Sequence, residues 1–198
     1  MTAIPNAVAL LPAAGASRRM GRPKLLLPFR GAPLVAAVVD ALRAGGAGAI
    51  VLVTAPEDEE LRAWARQAGV EVAINPDPER GMLSSIREGL VGLRRDQILL
   101  VSPADLPRLR GDSVAELLRR MIDSGAPLAV PVYQGKRGHP LAIAPALIPE
   151  IPTLDPAIGL KQLRDRHAAA LLEVTVDDPG VVWDVDTPED YERLEDRS

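Results

Sequence analysis

The sequence contains no cysteine in 198 residues, which excludes disulfides, thiolate zinc sites, iron–sulfur clusters and a cysteine nucleophile. Aromatic residues are scarce, at 3%: Phe29, Trp64, Tyr133, Trp183 and Tyr191. The core must therefore be aliphatic, and no row of rings is available to stack the bases of a single-stranded nucleic acid. With only His139 and His167, a histidine-rich metal centre is excluded. No apolar run approaches the roughly 20 residues of a membrane-spanning helix. The N-terminus lacks the basic start of a signal peptide and is interrupted by Pro5, so a cytoplasmic protein is expected.

The chain has 47% hydrophobic and 25% charged residues, ordinary values for a globular protein. Its length predicts one domain over 1–198. A net charge of −4 argues against general affinity for nucleic acid or anionic membrane. The distribution of charge says more. Arg18, Arg19, Arg22, Lys24 and Arg30 all precede the first acid, Asp40, whereas the stretch from Asp177 to Asp196 is strongly acidic. A basic segment in an acidic chain suggests a local anion site.

Short aliphatic runs alternate with helical patterns. Strands are expected at Val8–Leu11, Ala49–Val53, Val70–Ile74, Gln97–Val101, Leu128–Val132, Leu171–Val176 and Val181–Val185. Helices are expected at Leu34–Arg43, Glu57–Gln67, Met82–Leu93, Ser113–Ile122, Gly159–Arg166 and from Pro188 onward. Runs of aliphatic residues without alternation indicate strands buried on both faces. The fold class is thus α/β, a three-layer sandwich around a mostly parallel sheet, with ligands at the carboxyl ends of the strands.

Three segments fall at those ends. Pro12-Ala-Ala-Gly15-Ala-Ser-Arg18-Arg19-Met-Gly21-Arg22-Pro-Lys24 follows the first strand. Its small residues let backbone N–H groups approach phosphate oxygens, and Arg18 and Lys24 supply charge. It is not a Walker A loop, because five residues separate Gly15 from Gly21 and arginine follows. Asp105 lies just past a strand, between Pro103 and Pro107; it suits a divalent ion held against phosphates, or a turn hydrogen bond. Asp184 and Asp186, two apart, share a face if their segment is a strand; the alternative is that Asp186 or Thr187 caps the last helix.

Two further segments are less specific. Arg137-Gly138-His139-Pro140 is either a cationic ligand contact or a hairpin tip. Gly81-Met82-Leu83-Ser84-Ser85 opens a helix, with hydroxyls for a ligand or for capping. Gly45-Gly46-Ala47-Gly48 follows a helix rather than a strand, the wrong order for a dinucleotide fingerprint, and reads as a helix end.

Taken in order, these five segments resemble the MobA/MocA-like nucleotidyltransferases, in particular the molybdenum cofactor cytidylyltransferase branch. The resemblance implies a Rossmann-like fold of the nucleotide-diphospho-sugar transferase (GT-A-like) type. It implies transfer of a nucleoside monophosphate, CMP from CTP, to a phosphorylated acceptor such as molybdopterin, with Mg²⁺. It places Ala13, Ala14 and Gly15 at base and ribose, with Gly81, Ser84 and Ser85 beside the base. Arg18 and Lys24 then contact phosphates, Asp105 with Asp184 or Asp186 holds metal, and Arg137, Gly138 and His139 face the acceptor. A molybdoenzyme or its chaperone is the implied protein partner. The chain departs from the family at Pro12, at Leu83, and in lacking the acceptor-side Gly-Asp-x-Gly-Ala-Arg motif; Asp155-Pro-Ala-Ile-Gly159-Leu-Lys161 lies near that position, with Lys161 in place of arginine.

Overall fold

The computed structural model describes residues 7–15, 23–94 and 96–195. In chain order it contains β1 (Ala7–Pro12), a small hairpin of β2 (Pro28–Phe29) and β3 (Ala32–Pro33), α1 (Leu34–Ala44) and β4 (Ala47–Thr54). There follow α2 (Glu59–Gln67), β5 (Glu71–Ile74), α3 (Met82–Gly89), β6 (Ile98–Val101) and α4 (Gly111–Ser124). The last part comprises β7 (Leu128–Tyr133), β8 (Lys136–Arg137), β9 (Leu141–Ile143), α5 (Leu160–Arg166), β10 (Leu171–Thr175) and α6 (Pro188–Glu195).

The main sheet has the order β10-β7-β9-β6-β1-β4-β5, with β8 hairpinned onto β7. β1 sits inside it, parallel to both β4 and β6. β5 continues in parallel beyond β4, whereas β9 runs antiparallel to β6 and β7. The sheet is thus mostly parallel, as the aliphatic runs predict.

Successive residues of the central strands alternate between two cores. Ala7, Ala9 and Leu11 of β1, with Ile50 and Leu52 of β4, face the layer of α1, α2, α4 and α6. Val8, Leu10, Val51 and Val53 face the opposite layer, where α3 and α5 contribute Leu83, Ile86 and Leu163. This period of two explains why both faces of each strand must be apolar. Helices approach closely where glycine permits it: a Cβ on Gly111 would lie 2.7 Å from the Cβ of Ala44, joining α4 to α1.

Three differences from the sequence pattern stand out. Val181–Val185 is not a strand, because Pro179–Val181 forms a 3-10 turn and the following backbone bonds to loops rather than to a ladder. α3 stops at Gly89 instead of reaching Leu93, and Gly92 turns the chain with φ of 85°. Pro145–Thr153 forms 3-10 turns, to which Pro149 and Pro152 deny regular helical bonding.

Gly89 packs α3 on the sheet: a Cβ there would fall 2.1 Å from Leu10 Cδ1 and 2.8 Å from Val53 Cγ2. Alanine ordinarily stabilises a helix position relative to glycine by roughly 1 kcal/mol. Here Gly89→Ala is expected to reverse that sign and cost about 1–3 kcal/mol through overpacking, read as a lower urea midpoint with unchanged slope.

Candidate active site

A cleft of about 1230 Å³ opens at the carboxyl ends of β1, β4 and β6. The Ala13 N–H donates to Val53 O at 2.8 Å, so β1 stays tied to β4 as the chain enters the cleft wall. Ala13, Ala14 and Gly15 line the cleft, and a Cβ on Gly15 would meet nothing within 4 Å. Arg18, with the rest of 16–22, lies outside the described residues. Lys24 begins the 3-10 turn that leads into the β2–β3 hairpin.

Lys24 forms the centre of the site. Its ammonium donates to Asp105 Oδ2 at 2.5 Å, to Asp186 Oδ1 at 3.0 Å and to Val185 O at 3.0 Å. The Lys24 and Asp105 side chains are 16% and 15% exposed, so this contact is largely shielded from water. Burial works against the ammonium, but the hydrogen bonds and negative charge of Asp105 and Asp186 prevail and raise its pKa. Asp105 Oδ1 is buried without a hydrogen-bond partner among the described residues. An orphaned carboxylate oxygen in a cleft fits a cation or a ligand donor.

The segment carrying Asp186 is held at several points. Asp178, buried, accepts from Gly180 N at 2.8 Å and Arg110 N at 3.0 Å. A Cβ on Gly180 would lie 2.1 Å from Arg108 O, and one on Gly138 would lie 2.2 Å from Val181 O. The His139 N–H donates to Val181 O at 2.7 Å, and the Val185 N–H to Asp105 O at 3.0 Å. Thr187 caps α6: its Oγ1 accepts from Asp190 N at 3.2 Å, while Asp190 Oδ2 accepts from Thr187 N at 3.0 Å. Capping therefore falls to Thr187, and Asp186 turns to Lys24.

Asp184 behaves differently from the strand-based expectation. Without a strand there is no shared face, and Asp184 is exposed. Partial burial and the nearby carboxylates of Asp105 and Asp186 hold its pKa above the usual range. Among the described residues no three carboxylate or histidine side chains gather as a ready-made metal cluster. A small divalent ion is commonly held by one or two carboxylates plus substrate phosphates, a pattern that Asp105 and Asp186 fit.

Gly138, His139 and Lys161 line the cleft, but Arg137 does not. The Arg137 guanidinium instead pairs with Glu173 of β10 at 2.6 Å, which uses it at the sheet edge. Arg164, one turn beyond Lys161 on α5, lines the cleft too. The helical spacing of three residues could have pointed to it.

Gly81, Ser84 and Ser85 also stand off the cleft; Pro78, Glu79, Met82 and Leu83 form that wall. Asn75 Nδ2 donates to Ser84 Oγ at 2.8 Å and to Ser85 Oγ at 3.0 Å, and Ser84 Oγ donates to Gly81 O at 2.7 Å. The two buried hydroxyls thus fasten the start of α3 from behind.

The sequence profile of the MobA-like NTP transferase domain matches residues 9–171. The molybdenum cofactor cytidylyltransferase of Escherichia coli K12 is 28% identical over 92% of both chains. Nicotine blue oxidoreductase of Paenarthrobacter nicotinovorans is 30% identical over 98% of both. The crystal structure of Rv0371c from Mycobacterium tuberculosis has a TM-score of 0.81 and 30% identity, over 96% of this chain and 97% of that one. A structure of Rv0371c in complex with manganese is also similar, with a TM-score of 0.75 and 26% identity over 98% of this chain and 100% of that one.

Asp178→Ala would strip two backbone N–H groups of their acceptor. The expected cost is about 2–4 kcal/mol, measured by denaturant titration, with a loosened 178–187 segment seen as faster amide exchange there.

Proposed function

Because the chain belongs to the MobA-like NTP transferase family, we propose that it transfers a nucleoside monophosphate, CMP from CTP, to a phosphorylated acceptor. Molybdopterin or its molybdenum-loaded form is the leading acceptor, and a molybdoenzyme or its chaperone is the expected recipient of the product in the cytoplasm. The observation that carries this reading is the Lys24 ammonium set between Asp105 and Asp186 in the cleft beyond β1 and β6.

An acceptor phosphate oxygen attacks the α-phosphorus in line. A new P–O bond forms, the bond to the β-phosphate's bridging oxygen breaks, and pyrophosphate carries away the electron pair. The nucleophile is already an anion, so no protein base is required. Catalysis is then positioning and charge neutralisation. Ala13, Ala14 and Gly15 support base and ribose. Lys24 and Arg18 take the charge that develops on pyrophosphate. Asp105 and Asp186 would hold Mg²⁺, which would lower the charge of the α-phosphate and leaving group. Gly81, Ser84 and Ser85 act as positioning residues through Asn75. Gly138, His139 and Lys161 face the acceptor.

A second reading, reduction of an organic substrate, rests on the 30% identity with nicotine blue oxidoreductase. It requires oxidation of a reduced nicotinamide or similar hydride donor without release of pyrophosphate.

Two measurements test the proposal. CTP, GTP, UTP and ATP are titrated with and without Mg²⁺, and CTP is expected to bind selectively and more tightly with the metal. Turnover is then read as pyrophosphate. Lys24→Ala and Asp105→Ala should each lower it by about a hundredfold or more, on the order of 3 kcal/mol; near-normal turnover in both folded variants removes the assignment. Without nucleotide, Lys24→Met should bind Mn²⁺ about tenfold more tightly than the parent by electron paramagnetic resonance, since the competing ammonium between two carboxylates is gone.

A further inference from the structure

Arg164 stands apart from the other shielded arginines. Arg62 donates to Ala55 O and Pro56 O, Arg87 to Pro152 O and Leu154 O, and Arg108 to Arg193 O. Arg164 is half-buried in the cleft wall, yet among the described residues it makes no hydrogen bond or ion pair, and the same holds for Lys161. A partly desolvated guanidinium without a partner is costly unless a ligand supplies the acceptor atoms.

The helix bearing both cations is held in place before any ligand arrives. Asp155 N donates to Gln162 Oε1 at 2.8 Å, Ala157 N to Asp155 Oδ1 at 2.9 Å, and Gly159 N to Asp155 O at 2.9 Å. Arg87 fixes the preceding carbonyls of Pro152 and Leu154 from α3. Across the wall lies His139. Burial lowers its pKa, and the Arg164 charge acts in the same direction. Beside the cations, Ile158 is 46% exposed and lines the same cleft with Ala157 and Leu160.

We propose that Arg164 is the residue that determines acceptor specificity, receiving the attacking phosphate of a phosphomonoester in a bidentate contact. Lys161 is the second charge, and Ile158 with Ala157 and Leu160 takes an apolar acceptor body. The fork of two N–H groups matches two phosphate oxygens, and lysine cannot reproduce it. This inference rests on the nucleotidyltransfer reading, in which the phosphate so held is the nucleophile and pyrophosphate the leaving group.

The test uses phenyl phosphate as probe, a dianion on an apolar body, and the full chain saturated with α,β-methylene CTP and Mg²⁺. Calorimetry is expected to show phenyl phosphate binding to that complex. Arg164→Gln should weaken it at least tenfold, Arg164→Lys should restore only part, and affinity for the CTP analogue should stay within twofold in both. Lys161→Gln provides an independent variant and should weaken the probe severalfold. Unchanged probe affinity in Arg164→Gln overturns the proposal, as does loss of probe binding on saturation with the analogue, which would place the phosphate in the triphosphate site. If the protein binds no triphosphate analogue, the nucleotidyltransfer reading fails. Arg164-dependent binding of phenyl phosphate to the protein alone would then still support an anion subsite on α5.

Discussion

The structure of the cleft depends on one constraint: two carboxylates brought close together require a cation between them. Asp105 and Asp186 reach Lys24 across separations of 81 and 162 residues. The sheet brings the strand ends together, and the loops then aim the side chains. Removing the positive charge would leave two shielded anions facing each other. The site must therefore always hold a positive group, either the lysine's own or one that arrives with a ligand. A triphosphate bound with a divalent ion would meet both needs, since its phosphates would attract the ammonium and Asp105 and Asp186 would hold the ion.

Much of this architecture is legible in the sequence. Aliphatic runs betray β1, β4 and β6 because each is covered on both faces, and Asp105 is placed by its distance past β6. Strand direction is not written in such runs, so the antiparallel β9 is indistinguishable from its neighbours. Val181–Val185 has the composition of a strand but lies among loops, and only the partners of its backbone groups reveal this. Long-range partners also decide the orientation of single side chains. Ser84 and Ser85 turn away from the cleft because Asn75 receives them, and Arg137 turns outward because Glu173 does. Arg164 is hinted at by its helical spacing from Lys161, but its place in the cleft wall is seen only once the helix is set against the cleft.

The family setting sharpens what the site can mean. One fold carries a cytidylyltransferase and an oxidoreductase at similar distances from this chain. Activity therefore resides in the side chains that line the cleft rather than in the sheet. Here those side chains divide into an acidic-and-lysine centre and a basic far wall, an arrangement suited to two anionic partners that must approach each other.

The contact of Gly138 with Val181 bears on how such a protein can diversify. Gly138 precedes a residue of the far wall, and Val181 stands five residues before Asp186, with no room for even a methyl group between them. A side chain introduced at Gly138 would press on Val181 and so on the segment that leads to the carboxylate paired with Lys24. Lys161 on the seven-residue α5 is exposed, so its side chain can change without pressing on that segment. Under the proposed function, a change of acceptor is therefore met more readily on that short helix than in the 137–140 segment, which is pinned by a neighbour it does not serve.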